Sequence, residues 1–298
     1  MAGKVKSWIE AMRLRTLPVS VAGVFGGVAC AISAGRFRLL PALICLIFAI
    51  LAQIVSNFAN EYYDYKNGFD KKGREGFRRG VTEGDISPES MKKVTYTLLA
   101  IDCLLGASLI IWGGWWLLGV GIAIAFFAIG YSAGPYPLSH HGLGEVAVII
   151  FFGIIPVMFT SYLTTGNWEN STISFGIGLA IGLLASNVLI VNNYRDLEDD
   201  REVGKNTTVV LFGRKAMHNV YLLNASLGLA VTAICGILIR ASYLWMTAWG
   251  IIEIFYIFVW FKMGKSEGKA LNQILKRTAQ LILLTSICFL LTGVSVTR

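Results

Sequence analysis

The chain has 298 residues, of which 55% are apolar and only 15% charged, with a formal net charge of +8. Soluble domains carry about 25% charged residues, so this composition excludes an ordinary soluble protein. Apolar runs of about 20 residues recur along the whole length, each long enough to cross roughly 30 Å of hydrocarbon; being continuous rather than alternating, they exclude a β-barrel and leave an all-α bundle whose backbone groups bond within each span.

Taken in chain order, the start through Pro18 is basic and mixed and carries no cleavable signal pattern. Nine spans are then predicted, at Leu17–Ala34, Leu40–Ala59, Val94–Trp112, Trp115–Ser132, Val146–Thr164, Ile173–Val191, Val220–Ile239, Leu244–Phe261 and Ala279–Val294. A tight Gly113-Gly114 turn makes the third and fourth a hairpin. Of the 26 Lys and Arg residues, 22 fall at the start or in the loops after spans two, six and eight. The positive-inside rule places those segments in the cytoplasm. This multi-pass topology in the plasma membrane, N-terminus inside, accounts for the basic charge and needs no nucleic-acid partner. No linker divides the chain, so residues 1–298 read as a single membrane domain. Spans two and six each end in Asn-rich, acidic sequence on the same side, which suggests parallel repeats of about four helices with one more appended. Cys30, Cys45, Cys103, Cys235 and Cys288 have neither metal-ligand nor disulfide spacing and read as small packed residues.

Twelve of the 18 acidic residues lie in two inner loops. The first holds Glu61, Asp64, Asp70, Glu75, Glu83, Asp85 and Glu89. The second holds Asp196, Glu198, Asp199, Asp200 and Glu202. Asn57, Asn60 and Asp64 share one helix face as span two leaves the membrane; Gly68 then breaks the helix and Asp70 follows in a turn. Asn192, Asp196 and Asp200 stack at intervals of four. Carboxylates one turn apart repel unless a cation compensates. Mg²⁺ takes oxygen ligands, typically one or two carboxylates plus substrate phosphate oxygens. Two such faces opposed across a cavity would hold Mg²⁺ ions with a diphosphate between them. Lys66, Lys71, Lys72, Arg74, Arg78, Arg79, Arg195, Arg201 and Lys205 are available for the remaining phosphate oxygens. The plainer reading of any single acid is a solvated loop charge; capping explains one such residue, not two stacked series.

These residues resemble the UbiA superfamily of membrane prenyltransferases, whose motifs NDxxDxxxD and DxxxD follow the second and sixth helices. Here Glu61 stands in place of the second motif residue, Gly68 in place of the last acid, and Asp70 follows. That form, together with NNYRDLEDDREVGKNT, is similar to the 1,4-dihydroxy-2-naphthoate branch. RLRTLP, with Arg13, Arg15 and Pro18, and the stretch Tyr131 to Glu145 extend the resemblance over most of the chain. It implies nine helices in a ring around a central cavity open towards lipid. It also implies transfer of a polyprenyl group from its diphosphate to 1,4-dihydroxy-2-naphthoate, with loss of CO₂, giving demethylmenaquinone and diphosphate. Asn60, Asp64, Asp70, Asn192, Asp196 and Asp200 are then the expected metal ligands. Arg79, Lys205, Arg195, Tyr131 and Ser132 are the expected diphosphate contacts. Arg15 contacts either substrate or is a positive-inside anchor. His140 and His141 read either as acceptor bases or as a solvent-facing loop pair. Asp102 and Glu253 lie inside spans, costly places for acids, and are set outside the site. The alternatives are another aromatic acceptor, such as 4-hydroxybenzoate or homogentisate, and a secondary transporter; the transporter would keep its key polar groups near mid-membrane.

Overall fold

A computed structural model describes residues 2–73 and 76–296. Arg74, Glu75 and Arg298, which enter the charge pattern above, lie outside the described residues. The short helix α1 (Ala2–Ala11) precedes α2 (Leu17–Ser33), α3 (Leu39–Lys66), α4 (Pro88–Gly113), α5 (Leu117–Gly130) and α6 (Gly144–Thr165). Then come α7 (Ser171–Arg195), the short α8 (Leu197–Glu202), α9 (Thr208–Leu238), α10 (Tyr243–Met263) and α11 (Gly268–Val296). Among the described residues, seven helices are long and apolar enough to cross a membrane, and α2 and α5 are shorter apolar helices. The nine predicted spans thus resolve into seven of full length and two short ones. At 1.5 Å per residue the 14 residues of α5 reach only about 21 Å, less than the thickness of the hydrocarbon core. The chain is a multi-pass membrane protein.

The main departures from the predicted spans are at the acidic end. There α3 runs seven residues further, to Lys66, and α9 starts twelve residues earlier, at Thr208, with a break at Gly213 (φ +80°). Hydropathy sees only the apolar part of a helix. The polar turns beyond it stay helical here because neighbouring elements pair with their side chains. Local signals set the ends. Ser87 caps α4 by accepting from Ser90 N (3.2 Å), with Pro88 in the first turn. Gly68 (φ +73°) takes the left-handed position that releases the chain after α3.

The most embedded span is α7, which packs against α2, α6, α9 and α11. Its contact with α6 is backbone on backbone. A Cβ on Gly153 would collide with the main chain of Gly178 and Gly182, and one on Gly182 would lie 2.6 Å from the Ile149 carbonyl oxygen. The α6 turns at Ile149–Ile154 widen to π-helical geometry at this approach. Small residues let membrane helices close to this distance, where dispersion and packing hold them together. On the far side, α9 and α10 pack outside α7 and α11. Four cysteines are buried as expected, but Cys103 is exposed, because it lies on the outward face of α4.

Candidate active site

The last two turns of α3 carry the first cluster into the bundle rather than into solvent. Asp64 is 1% exposed. Its Oδ2 accepts from Lys205 Nζ (2.8 Å) and from Asn60 Nδ2 (3.1 Å), and its Oδ1 lies 3.3 Å from His140 Nε2. Asn60 is a four-way junction. Its Oδ1 accepts from Arg79 Nη2 (3.1 Å) and from Arg13, and its Nδ2 also donates to the wholly buried Ser132 (3.0 Å). The Asp70 carboxylate lies 3.5 Å from Arg79 Nε. Buried Glu61 accepts from Val81 N (3.0 Å). It therefore pins the loop that delivers Phe77, Arg78 and Arg79 over the end of α3.

The second cluster arrives from α7 and α8. The axis breaks at Asp196, yet Asp196 N bonds Asn192 O (3.1 Å) and Asp200 N bonds Asp196 O (2.8 Å). The spacing of four therefore survives the break, with Asp196 and Asp200 both buried. Arg195 grips Asp196 through two donors at 2.7 Å and also reaches Asn192 and Asn272 at 2.8 Å each. Lys205, whose N–H bonds Asp200 O (2.8 Å), extends across to Asp64. Lys71 pairs with Glu202 in the same direction, and Asn206 N bonds His140 O (3.1 Å). The two acidic helix ends thus lie at one end of the bundle, joined by cations. Buried charges persist only when paired in this way.

Below this charged mouth is an apolar cavity of about 280 Å³, lined at its top by Arg13, Asn57, Arg79, Tyr131, Asn192 and Arg195 and deeper by Phe48, Phe127, Phe151, Phe159 and Leu163. Its walls come from α2 to α7 with Leu275 of α11, and α9 and α10 contribute none of the lining. The ring around the cavity is therefore smaller than the helix count. The Tyr131 side chain lines this cavity, with its hydroxyl beside Gly144 at the start of α6.

Of the expected site residues, Arg79, Tyr131, Asn192 and Arg195 line the cavity. Asn60, Asp64, Asp70, Asp196, Asp200, Lys205 and Ser132 sit in the buried polar cluster beside it and are not part of its lining. Arg15 belongs to neither group. It is exposed, with its guanidinium stacked 4.3 Å from the Phe77 ring, whose centroid is also 5.1 Å from that of Arg195. Arg13, two residues earlier, takes the inward position because its backbone adopts φ +53°, rare for a residue with a Cβ. His140 is not solvent-facing: it is buried, with its ring packed edge-on to Phe69 at 4.3 Å. His141 stacks on Tyr136 (3.6 Å). Glu145 was not singled out in the sequence, yet it accepts from Asn193 (3.2 Å) and Thr208 (2.6 Å), tying α6 to α7 and α9. Only RLRTLP and the stretch Tyr131 to Glu145 hinted at Arg13 and Glu145. Of the two intramembrane acids, Glu253 accepts from Ser226 (2.9 Å). Asp102 is buried on the wall of a second cavity, and its Oδ1 has no hydrogen-bond partner among the described residues.

The donors gathered here are amide and carboxylate oxygens. Among the described residues, no three His, Cys, Asp or Glu side chains converge as a ready-made metal cage. Such a set does not suit zinc, which wants a closed tetrahedral site. It does suit a hard divalent cation that completes its shell with water and substrate phosphate.

The sequence profile described as the UbiA prenyltransferase family matches residues 20–291. The chain is 35% identical to the 1,4-dihydroxy-2-naphthoate octaprenyltransferase of Haemophilus influenzae, over 96% of this chain and 95% of that one. It is 34% identical to the enzyme of the same name from Escherichia coli, over 97% and 95%. Its fold is that of a UbiA homolog from Archaeoglobus fulgidus solved with GPP and Mg²⁺, at a TM-score of 0.66 and 17% identity, over 97% of this chain and 99% of that one. With nearly the whole chain matched and a charged mouth over an apolar cavity, the protein belongs to the UbiA prenyltransferase family.

Proposed function

We propose that this chain transfers a polyprenyl group from polyprenyl diphosphate to 1,4-dihydroxy-2-naphthoate, releasing CO₂ and diphosphate. The observation that carries the reading is the Asp64–Lys205 contact, which joins the two acidic helix ends over one apolar cavity. The two relatives named for this activity support the choice of acceptor.

The prenyl C–O bond breaks with its electron pair leaving on the diphosphate. Arg13, Arg79, Arg195 and Lys205 ring the place where that charge accumulates, in a site largely closed to water, where fixed cations act most strongly. Arg79 Nη1, buried without a hydrogen-bond partner among the described residues, is the donor best placed to take a phosphate oxygen. Asn60, Asp64, Asp70, Asn192, Asp196 and Asp200 would hold divalent cations, Mg²⁺ by the chemistry of the set. When bound, these cations neutralise the diphosphate and make it a better leaving group. Asp64, Asp196 and Asp200 are the carboxylates on which this depends. Tyr131 and Ser132 position Asn60 and the diphosphate. The aromatic walls below shield the allylic cation from water. The ring carbon bearing the carboxylate forms the new C–C bond. CO₂ leaves and its bonding pair returns to the ring, giving the diol form of demethylmenaquinone. The basic charged mouth faces the cytoplasm of the plasma membrane, and the lipid phase receives the product.

The test is purified protein in lipid nanodiscs with Mg²⁺, 1,4-dihydroxy-2-naphthoate and prenyl diphosphates of several lengths, with the lipid product identified by mass spectrometry. A prenylated, decarboxylated naphthalenediol is expected, and chelation should abolish it. Turnover of 4-hydroxybenzoate or homogentisate in place of the naphthoate would overturn the acceptor assignment.

A further inference from the structure

The catalytic arrangement makes no use of Asp102, which lies within the span α4. Its side chain is buried, and its Oδ1 has no hydrogen-bond partner among the described residues. A carboxyl group inside a membrane span is costly, more so without a partner. Glu253, the other intramembrane acid, accepts from Ser226 and is accounted for by that contact. Asp102 instead lines the second cavity, of about 740 Å³, beside α5 and between it and the α3–α4 pair. The lining includes Phe48, Phe126, Phe127 and Tyr136, and among the described residues it holds no Lys, Arg or His. The carboxyl group therefore has no cation beside it there, and the chemistry left to it is a hydrogen bond with a neutral donor. An apolar pocket with one well-placed polar group is the usual form of a small-molecule site, that group fixing the ligand's orientation. The second cavity shares Phe48, Gly106, Gly121 and Phe127 with the central one, and it reaches the exposed side chains of Ile122 and Phe126 at the lipid-facing surface.

We propose that the second cavity binds the prenylated naphthalenediol, the product of the reaction, with a ring hydroxyl donating to Asp102. The choice of ligand rests on the prenyl-transfer reading above. The product is uncharged and carries hydroxyl donors on an aromatic ring, so it meets the acceptor and the aromatic, apolar walls together. The acceptor substrate differs in one respect that matters here: it still carries a carboxylate. In this cavity that charge would face Asp102 with no base to compensate, and burying it unpaired is costly. A diphosphate is excluded on the same ground. Loss of CO₂ is therefore what admits the molecule, and the site tells finished product from unreacted acceptor. The shared walls put this site next to the place where the diol forms, and Ile122 and Phe126 put it next to the lipid that receives it.

The experiment measures equilibrium binding of tritiated 2-geranyl-1,4-naphthalenediol, kept reduced, to the protein in nanodiscs, with binding to empty nanodiscs subtracted. Asp102→Leu should weaken binding at least ~10-fold, the scale of one lost hydrogen bond to a buried acceptor. Asp102→Asn keeps an acceptor oxygen and should stay within about threefold of wild type. The dimethyl ether of the probe, which cannot donate, should bind wild type and Asp102→Leu alike, and so should the probe with its ring carboxylate retained. Turnover of geranyl diphosphate by Asp102→Leu should stay within about twofold of wild type, as for a residue away from the reacting atoms. Diol binding as tight in Asp102→Leu as in wild type overturns the site and leaves the prenyl-transfer reading in place. An equal loss for the dimethyl ether does the same, because Asp102 would then only support packing. If wild type makes no prenylated product while the diol still binds through Asp102, the prenyl-transfer reading falls and the diol site stands. Asp102→Ala answers the same question if the leucine variant does not accumulate.

Discussion

The helices α7 and α5 face each other's problem from opposite sides of the cavity. Buried residues run along α7 from Ser174 to Arg195, and its glycines press against α6, while α5 buries only Leu117. One carries Asn192 and Arg195 at its end and leads into Asp196; the other ends at Tyr131 but is otherwise a bare apolar wall. Groups that must hold buried charge within tenths of an ångström need a rigid, fully packed support. A wall that meets an apolar chain of varying shape does not. This protein puts its packing where the charge is and leaves the lipid side loose.

The largest effects are expected at the charged end. Asp64→Asn should lower transfer at least ~100-fold, the scale of removing one oriented electrostatic group. It should also cost about 3–5 kcal/mol of stability, because Lys205 remains buried without its counter-charge. Adding Lys205→Met should recover much of the melting temperature and none of the activity. Additive losses in that cycle would show that the pair is not coupled. Next, Gly182→Leu should destabilise the protein by roughly 1–3 kcal/mol through overpacking against Ile149, whereas Gly119→Leu on α5 should leave the melting curve in place. Equal melting of the two would erase the contrast between the helices. A third test separates neighbours. Arg13→Ala should raise KM for the prenyl diphosphate roughly tenfold, in line with a lost charged hydrogen bond, and Arg15→Ala should change it little. The smallest effect is at the rim, where a hydrogen bond from Ser7 and the Arg78 guanidinium hold half-buried Asp85 below the usual carboxylate range. A depressed carboxylate stabilises above its unfolded value of about 3.9 and loses that contribution as pH falls through the folded value. Melting temperature should therefore drop slightly more steeply below about pH 4 in wild type than in Asp85→Asn.

Much of the site was legible because helix geometry is local. Asn60 with Asp64, and Asn192 with Asp196 and Asp200, are placed on common faces by spacing alone, and the positions of the apolar runs follow from length and hydropathy. Arg13 was hidden because nothing in RLRTLP tells which arginine turns inward; a positive φ decides it. His140 looked like a loop residue and was buried by Phe69 and Asp64.

The order of residues alone places the chain in a membrane, sets where its helices run and puts particular carboxylates on one helix face. Each of these depends on residues within a few turns of one another. The tertiary structure decided which cation meets which acid and where the cavity opens. Asp64 and Lys205 are 141 residues apart, and the gap beside α5 exists only because its neighbours pack elsewhere. Contacts at such separation are set by how whole helices pack.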